Sequence, residues 1–142
     1  MDTAAAEAFI DRYRATFESF DVAAIAACYA FPCHVTGDGD GVTIASVPAV
    51  EAWVPQISRI VGAYRLLGVH HAEVLSLRIV EVTPRAAHAV VRWGLRTPAD
   101  AEVYDFTASY TLADLGDGPR ITAIVHDETP RLLAAVARAQ AG

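Results

Sequence analysis

The sequence predicts an α+β fold in which helices pack on an antiparallel sheet, and three observations predict it. Apolar residues recur at three- and four-residue spacing up to Gly68 and change to β-prone runs after it. Thr83-Pro84, Thr97-Pro98 and Gly116-Asp117-Gly118-Pro119 part those later runs as turns part a meander. At 142 residues the chain has the usual size of one domain and is long enough to bury a continuous core.

The elements follow in order. Phe9, Ile10, Tyr13, Phe17 and Phe20 form the apolar stripe of a first helix over 4–20, with Glu7, Asp11, Arg14 and Glu18 opposite. Asp21 caps a short second helix whose stripe is Ile25, Cys28 and Tyr29, and Pro32 ends it by Ala30. Cys33–Thr36 and Val42–Ala45 make a small hairpin around Gly37-Asp38-Gly39-Asp40-Gly41. Ser46 caps a third helix with Pro48 in its first turn and Val50, Trp53, Val54, Ile57, Ile60, Val61 and Tyr64 on its apolar face; Gly68 breaks it. Four strands are expected at 70–82, 86–96, 102–113 and 120–127. In the third, Tyr104, Phe106, Ala108, Tyr110 and Leu112 share one face. Thr129 caps a C-terminal helix, 130–140, opened by Pro130. The whole, 1–142, reads as one domain with its core at 4–128.

Composition narrows the function classes. The net charge is -6 and the 11 basic residues, all Arg, are scattered, so nucleic acid is not an expected partner. The N-terminal segment lacks a basic region followed by an apolar run, and no run of about 18 apolar residues occurs. A cytoplasmic protein without membrane contact is expected. Hydrophobic residues make up 54% of the chain, more than a monomer hides easily, which favours a homodimer. Cys28 and Cys33 read as free thiols. His34, His70, His71 and Asp38 lack the spacing of a shared ion, and no phosphate loop or nucleophile motif occurs, so neither a metal nor another cofactor is expected.

The order of elements, with Phe20-Asp21 before the second helix, the Tyr29-Ala30-Phe31-Pro32 exit and Gly118-Pro119-Arg120-Ile121 entering the last strand, resembles the nuclear transport factor two-like superfamily over roughly 4–128. That superfamily includes ketosteroid isomerases, SnoaL-type polyketide cyclases and limonene epoxide hydrolases. The resemblance implies a strongly bent antiparallel sheet forming a cone (a cystatin-like fold), a pocket between the helices and the concave face, and dimerisation through the convex face.

Residue by residue, the resemblance to the isomerases implies an oxyanion-binding role for Tyr13. Gly37 and Ala108, however, stand where the isomerase carboxylates would be, which argues against steroid isomerisation. Resemblance to the cyclases points to His126 or Asp127 at the end of the last strand. Anchored on Ile121, that strand is expected to turn Ile124 and His126 inward, and a one-residue bulge to turn Val125 and Asp127 inward instead. Arg92 and Asp105, on adjacent strands, read as a convex-face pair rather than as the hydrolase constellation. Tyr13, His126 and Asp127 are thus the catalytic candidates. Phe17, Trp53, Ile57, Trp93, Tyr104, Phe106, Tyr110 and Ile124 are candidate ligand walls, each of which a bent sheet or its helices also uses as core. Two functions stay open: a site for a small apolar, cyclic molecule with cofactor-free isomerase, dehydratase, cyclase or hydrolase chemistry, and a dimeric ligand carrier or assembly module with a filled cavity.

Overall fold

A computed structural model describes residues 1–142 as α1 (Thr3–Glu18), α2 (Val22–Ala26), β1 (Tyr29–Asp38), β2 (Val42–Val47), α3 (Val50–Leu67), β3 (His71–Thr83), β4 (Ala86–Arg96), β5 (Glu102–Asp114), β6 (Pro119–His126) and α4 (Glu128–Ala141). The strands form one six-stranded sheet in the order β2-β1-β6-β5-β4-β3. Every pair is antiparallel except β1 with β6, which is parallel. The sheet is therefore mixed at the one junction that joins the hairpin to the meander. No helix is long and apolar enough to cross a membrane.

Local sequence explains most boundaries. Asp2 accepts from the Ala5 N–H at 2.8 Å and starts α1, whose Ala6, Phe9, Ile10 and Tyr13 are buried. Asp21 caps α2 through the Ala24 N–H. Gly68 closes α3 with φ 72°, a left-handed conformation that costs a glycine little, and lets the Val69 N–H reach the Tyr64 carbonyl at 2.9 Å. Strict alternation holds along β5, where Tyr104, Phe106, Ala108, Tyr110 and Leu112 are all buried.

Four expectations are corrected. Helix α2 stops at Ala26, and Tyr29 already belongs to β1 because its neighbour Cys28 accepts the Ile121 N–H. Sheet pairing thus overrides the helical stripe. Helix α3 starts at Val50 without a side-chain cap, so Pro48 lies before it; Pro55 is inside it, where the missing N–H leaves the helix one bond short. Helix α4 starts at Glu128, with Asp127 rather than Thr129 at the cap position. In β6, Thr111 pairs with Ala123 and Leu112 with Ile121, leaving Thr122 as a bulge. The bulge is what buries both Ile121 and Ile124; unbroken alternation would have turned one of them out.

The core runs continuously beneath the helices and contains Ile10, Ile25, Ile57, Val91, Leu112 and Ile121, each under 2% exposed. Cys33 is buried and Cys28 partly so, both as free thiols. Since Leu112 is fully enclosed beside the β6 bulge, Leu112→Ala is expected to cost about 2–5 kcal/mol. The urea midpoint measures it, and a loss below about 1 kcal/mol would show that the core there closes around the gap.

Candidate functional site

Helices α1 and α3 and the inner face of the sheet leave a cavity of about 220 Å³. Its walls are mainly aromatic and aliphatic, with Tyr13 and Phe17 from α1, Trp53, Ile57 and Tyr64 from α3, and Trp93, Phe106, Tyr110 and Ile124 from β4, β5 and β6. An enclosed apolar space of about 150 Å³ is enough to hold benzene, so this one fits a single substituted ring.

One part of the cavity wall is rich in hydrogen-bond donors. The Tyr13 and Tyr29 hydroxyls bond each other at 2.5 Å, and the Trp93 indole N–H donates to the Tyr110 hydroxyl at 2.9 Å. The Trp53 indole N–H, buried and within the same wall, has no partner. Tyr13, Tyr29 and Tyr110 thus form one cluster of neutral hydroxyls, with the Trp53 N–H in the same wall. Burial, first, and the neighbouring phenols push the Tyr13 pKa well above its ordinary value, so the group stays a neutral donor.

Another part is built by the turn from β6 into α4. Asp127 faces outward: its carboxylate accepts the Thr107 N–H at 2.8 Å and pairs with Arg131 at 3.3 Å. With Asp127 clamped outside, His126 and Glu128, one residue to each side, both line the cavity. Glu128 Oε2 accepts from the Tyr104 hydroxyl at 2.8 Å and from the Tyr64 hydroxyl. Glu128 keeps some accessible surface, yet its carboxyl lies among protein atoms; burial raises its pKa against the lowering effect of the two phenols. No hydrogen bond occupies Oε1. The Glu128 N–H donates to His126 Nδ1 at 3.1 Å, so the neutral ring carries its proton on Nε2. Burial lowers the His126 pKa, which keeps that neutral form.

The structure thus brings together Tyr13, His126, Phe17, Trp53, Ile57, Trp93, Phe106, Tyr110 and Ile124 around one space. Tyr104 stands behind the wall and touches the site through Glu128. Asp127 is turned away from the cavity, and His126, with Nδ1 already an acceptor, is placed as a hydrogen-bond donor rather than as a base. The inward turn of His126 arises from the bulge, the reverse of the expected relation between bulge and facing. Arg92 pairs with Asp105 at 3.0 Å on the outer face. Sequence reasoning passed over Glu128. No sequence pattern signals it, because β6 ends at His126 and α4 begins at Glu128, so neither strand nor helix periodicity relates the two.

A family profile described as NTF2-like protein (DUF6841) matches residues 2–129. The chain belongs to this NTF2-like family. No curated protein gives a significant match. Among solved structures, an NTF2-like protein of unknown function from Shewanella oneidensis is 14% identical, with TM-score 0.70, over 89% of this chain and 99% of that one. An NTF2-like protein with a cystatin-like fold from Novosphingobium aromaticivorans is 16% identical, with TM-score 0.69, over 96% and 87%. A protein provisionally described as a ketosteroid isomerase, from Shewanella frigidimarina, is 15% identical, with TM-score 0.63, over 87% and 94%. At these identities the likeness is one of fold.

In this NTF2-like chain a Cβ at Gly37 would meet Thr43 Oγ1 at 2.9 Å and lie in ordinary contact, 3.7 Å, with the His126 ring. Two carboxyls line the cavity: Glu18, paired with Arg14 and His71, and Glu128, which comes from the opposite end of the chain and has no salt-bridge partner. The raised pKa of Glu128 has a thermodynamic consequence. The folded state binds that proton more tightly than the unfolded state; the resulting stability is complete below the unfolded value of 4.5 and is lost as pH climbs through the folded pKa. Glu128→Gln removes this titration, so its stability relative to wild type is expected to rise between about pH 4 and about pH 8 in paired urea denaturations. A relative stability that is flat or falls over that window contradicts the assignment.

Proposed function

We propose that the chain binds a small, largely apolar monocyclic molecule in this cavity and carries out cofactor-independent acid–base chemistry on it, of the isomerase, dehydratase, cyclase or hydrolase kind. The observation that carries the reading is a carboxyl, Glu128, held by two phenols inside an aromatic cavity that also holds a cluster of neutral hydroxyls. Tyr13 and its neighbours would hold an acceptor oxygen of the ligand and the charge that develops on it. His126 would donate through Nε2. Glu128, with a pKa moved toward neutrality, is the group suited to exchange a proton. The provisional description of the Shewanella frigidimarina relative as a ketosteroid isomerase accords with proton-transfer chemistry in this fold, although a cavity of about 220 Å³ argues for a smaller substrate here.

The cavity volume also favours a second reading, a ligand carrier or assembly module, since small-molecule sites more often span about 300–1,000 Å³. Turnover separates the two. Monocyclic ketones and epoxides are expected to bind saturably and to be converted, and Tyr13→Phe is expected to lower kcat by about ten- to a hundredfold with the fold intact. Saturable binding without turnover would leave the carrier.

We also propose that the chain works as a homodimer in the cytoplasm, joined through the outer sheet face. Thr107, Ser109 and Thr111 of β5 are half-exposed there beside the Arg92–Asp105 pair. Sedimentation at micromolar concentration is expected to give twice the 15.1 kDa chain mass, and a monomer would contradict it.

A further inference from the structure

Glu128 differs from every other carboxylate near the cavity in having no cationic partner. Its two hydrogen-bond donors, Tyr64 and Tyr104, are neutral phenols. Arg14, the one arginine in the wall, is committed to Asp11 at 2.9 Å and Glu18 at 2.8 Å. Arg131, near in sequence, lies outside with Asp105 and Asp127. His126 accepts the Glu128 N–H at Nδ1, a bond that an imidazolium would lose. A charge withdrawn from water is costly unless an opposite charge compensates it; His70 and His126 also line the cavity, but no Arg or His lies within salt-bridge distance of Glu128. Oε1 is unbonded and available.

The walls supply a second, independent preference. Tyr64, Phe17 and Phe106 present π systems to the same small volume, and aromatic faces attract cations, most strongly when water is excluded. The phenols of Tyr13, Tyr29 and Tyr110 and the unpaired Trp53 N–H in the same wall can donate to an acceptor oxygen. The cavity therefore holds both a carboxylate without a counter-charge and a set of neutral donors.

Resting on the reading of this cavity as a binding site, we propose that its ligand is a small ring bearing a basic nitrogen, bound as the ammonium cation with its N–H on Glu128 Oε1 and any acceptor oxygen turned toward Tyr13 and Trp53. The proton that Glu128 exchanges is then one on nitrogen.

The test uses the full chain and three probes of matched size, benzylamine, benzyl alcohol and benzoate, titrated by calorimetry near pH 7. Benzylamine is expected to bind at least about tenfold more tightly than benzyl alcohol, and benzoate more weakly than either. In Glu128→Gln the preference for the amine over the alcohol is expected to collapse to within about threefold. General attraction to a chain of net charge -6 would survive that substitution, so the collapse locates the effect at Glu128. Should the alcohol bind wild type as tightly as the amine, or should the preference persist in Glu128→Gln, the ammonium assignment is overturned while the binding site stands. Binding of none of the three overturns the site and the assignment together. Because the charge series is read on the wild type, a variant that fails to fold does not remove the test.

Discussion

The candidate site depends on a pair of hydrogen bonds between Asp127 and Thr107. The Thr107 N–H donates to the Asp127 carboxylate at 2.8 Å, and the Asp127 N–H returns to the Thr107 carbonyl at 3.3 Å. These bonds hold the turn between β6 and α4 against the outside of β5, with Arg131 adding a charge-assisted contact. With the turn held there, His126 and Glu128 line the cavity.

Once inside, Glu128 is costly. An unpaired carboxylate among aromatic side chains is compensated only in part by the Tyr64 and Tyr104 hydroxyls, which is why its pKa rises. A fold that holds such a group gives up stability above the pKa of the unfolded side chain, and at candidate active sites that concession is common because a strained ionisation is what proton transfer or charge recognition uses. The tyrosine cluster is the complementary case, neutral and satisfied within itself. In the proposed reading, polarity within the cavity adds to its size in selecting a ligand.

Much of the fold was legible in the sequence and less of the site. Alternation along β5 and the stripe of α1 were readable because one face of each meets the core directly. Tyr29 was misread as helical because its partner, Ile121, is remote in sequence, and local pattern carries no information about that pairing. The Thr122 bulge was equally hidden, since only the register against β5 reveals the extra residue. Tyr13 and His126 could be singled out by residue type and by their places in the elements. Glu128 acquires its character from phenols 64 and 24 residues away, so its chemistry exists only in the folded chain.

The most direct test of this account is to follow the Glu128 side-chain carboxyl by carbon-detected NMR while pH is varied in the ligand-free protein. A midpoint clearly above 4.5, moving lower when a cationic ring is added, is what a buried carboxylate lacking a counter-charge predicts. A midpoint at or below 4.5, indifferent to the added cation, would mean that Glu128 is solvated or already compensated and would contradict the account.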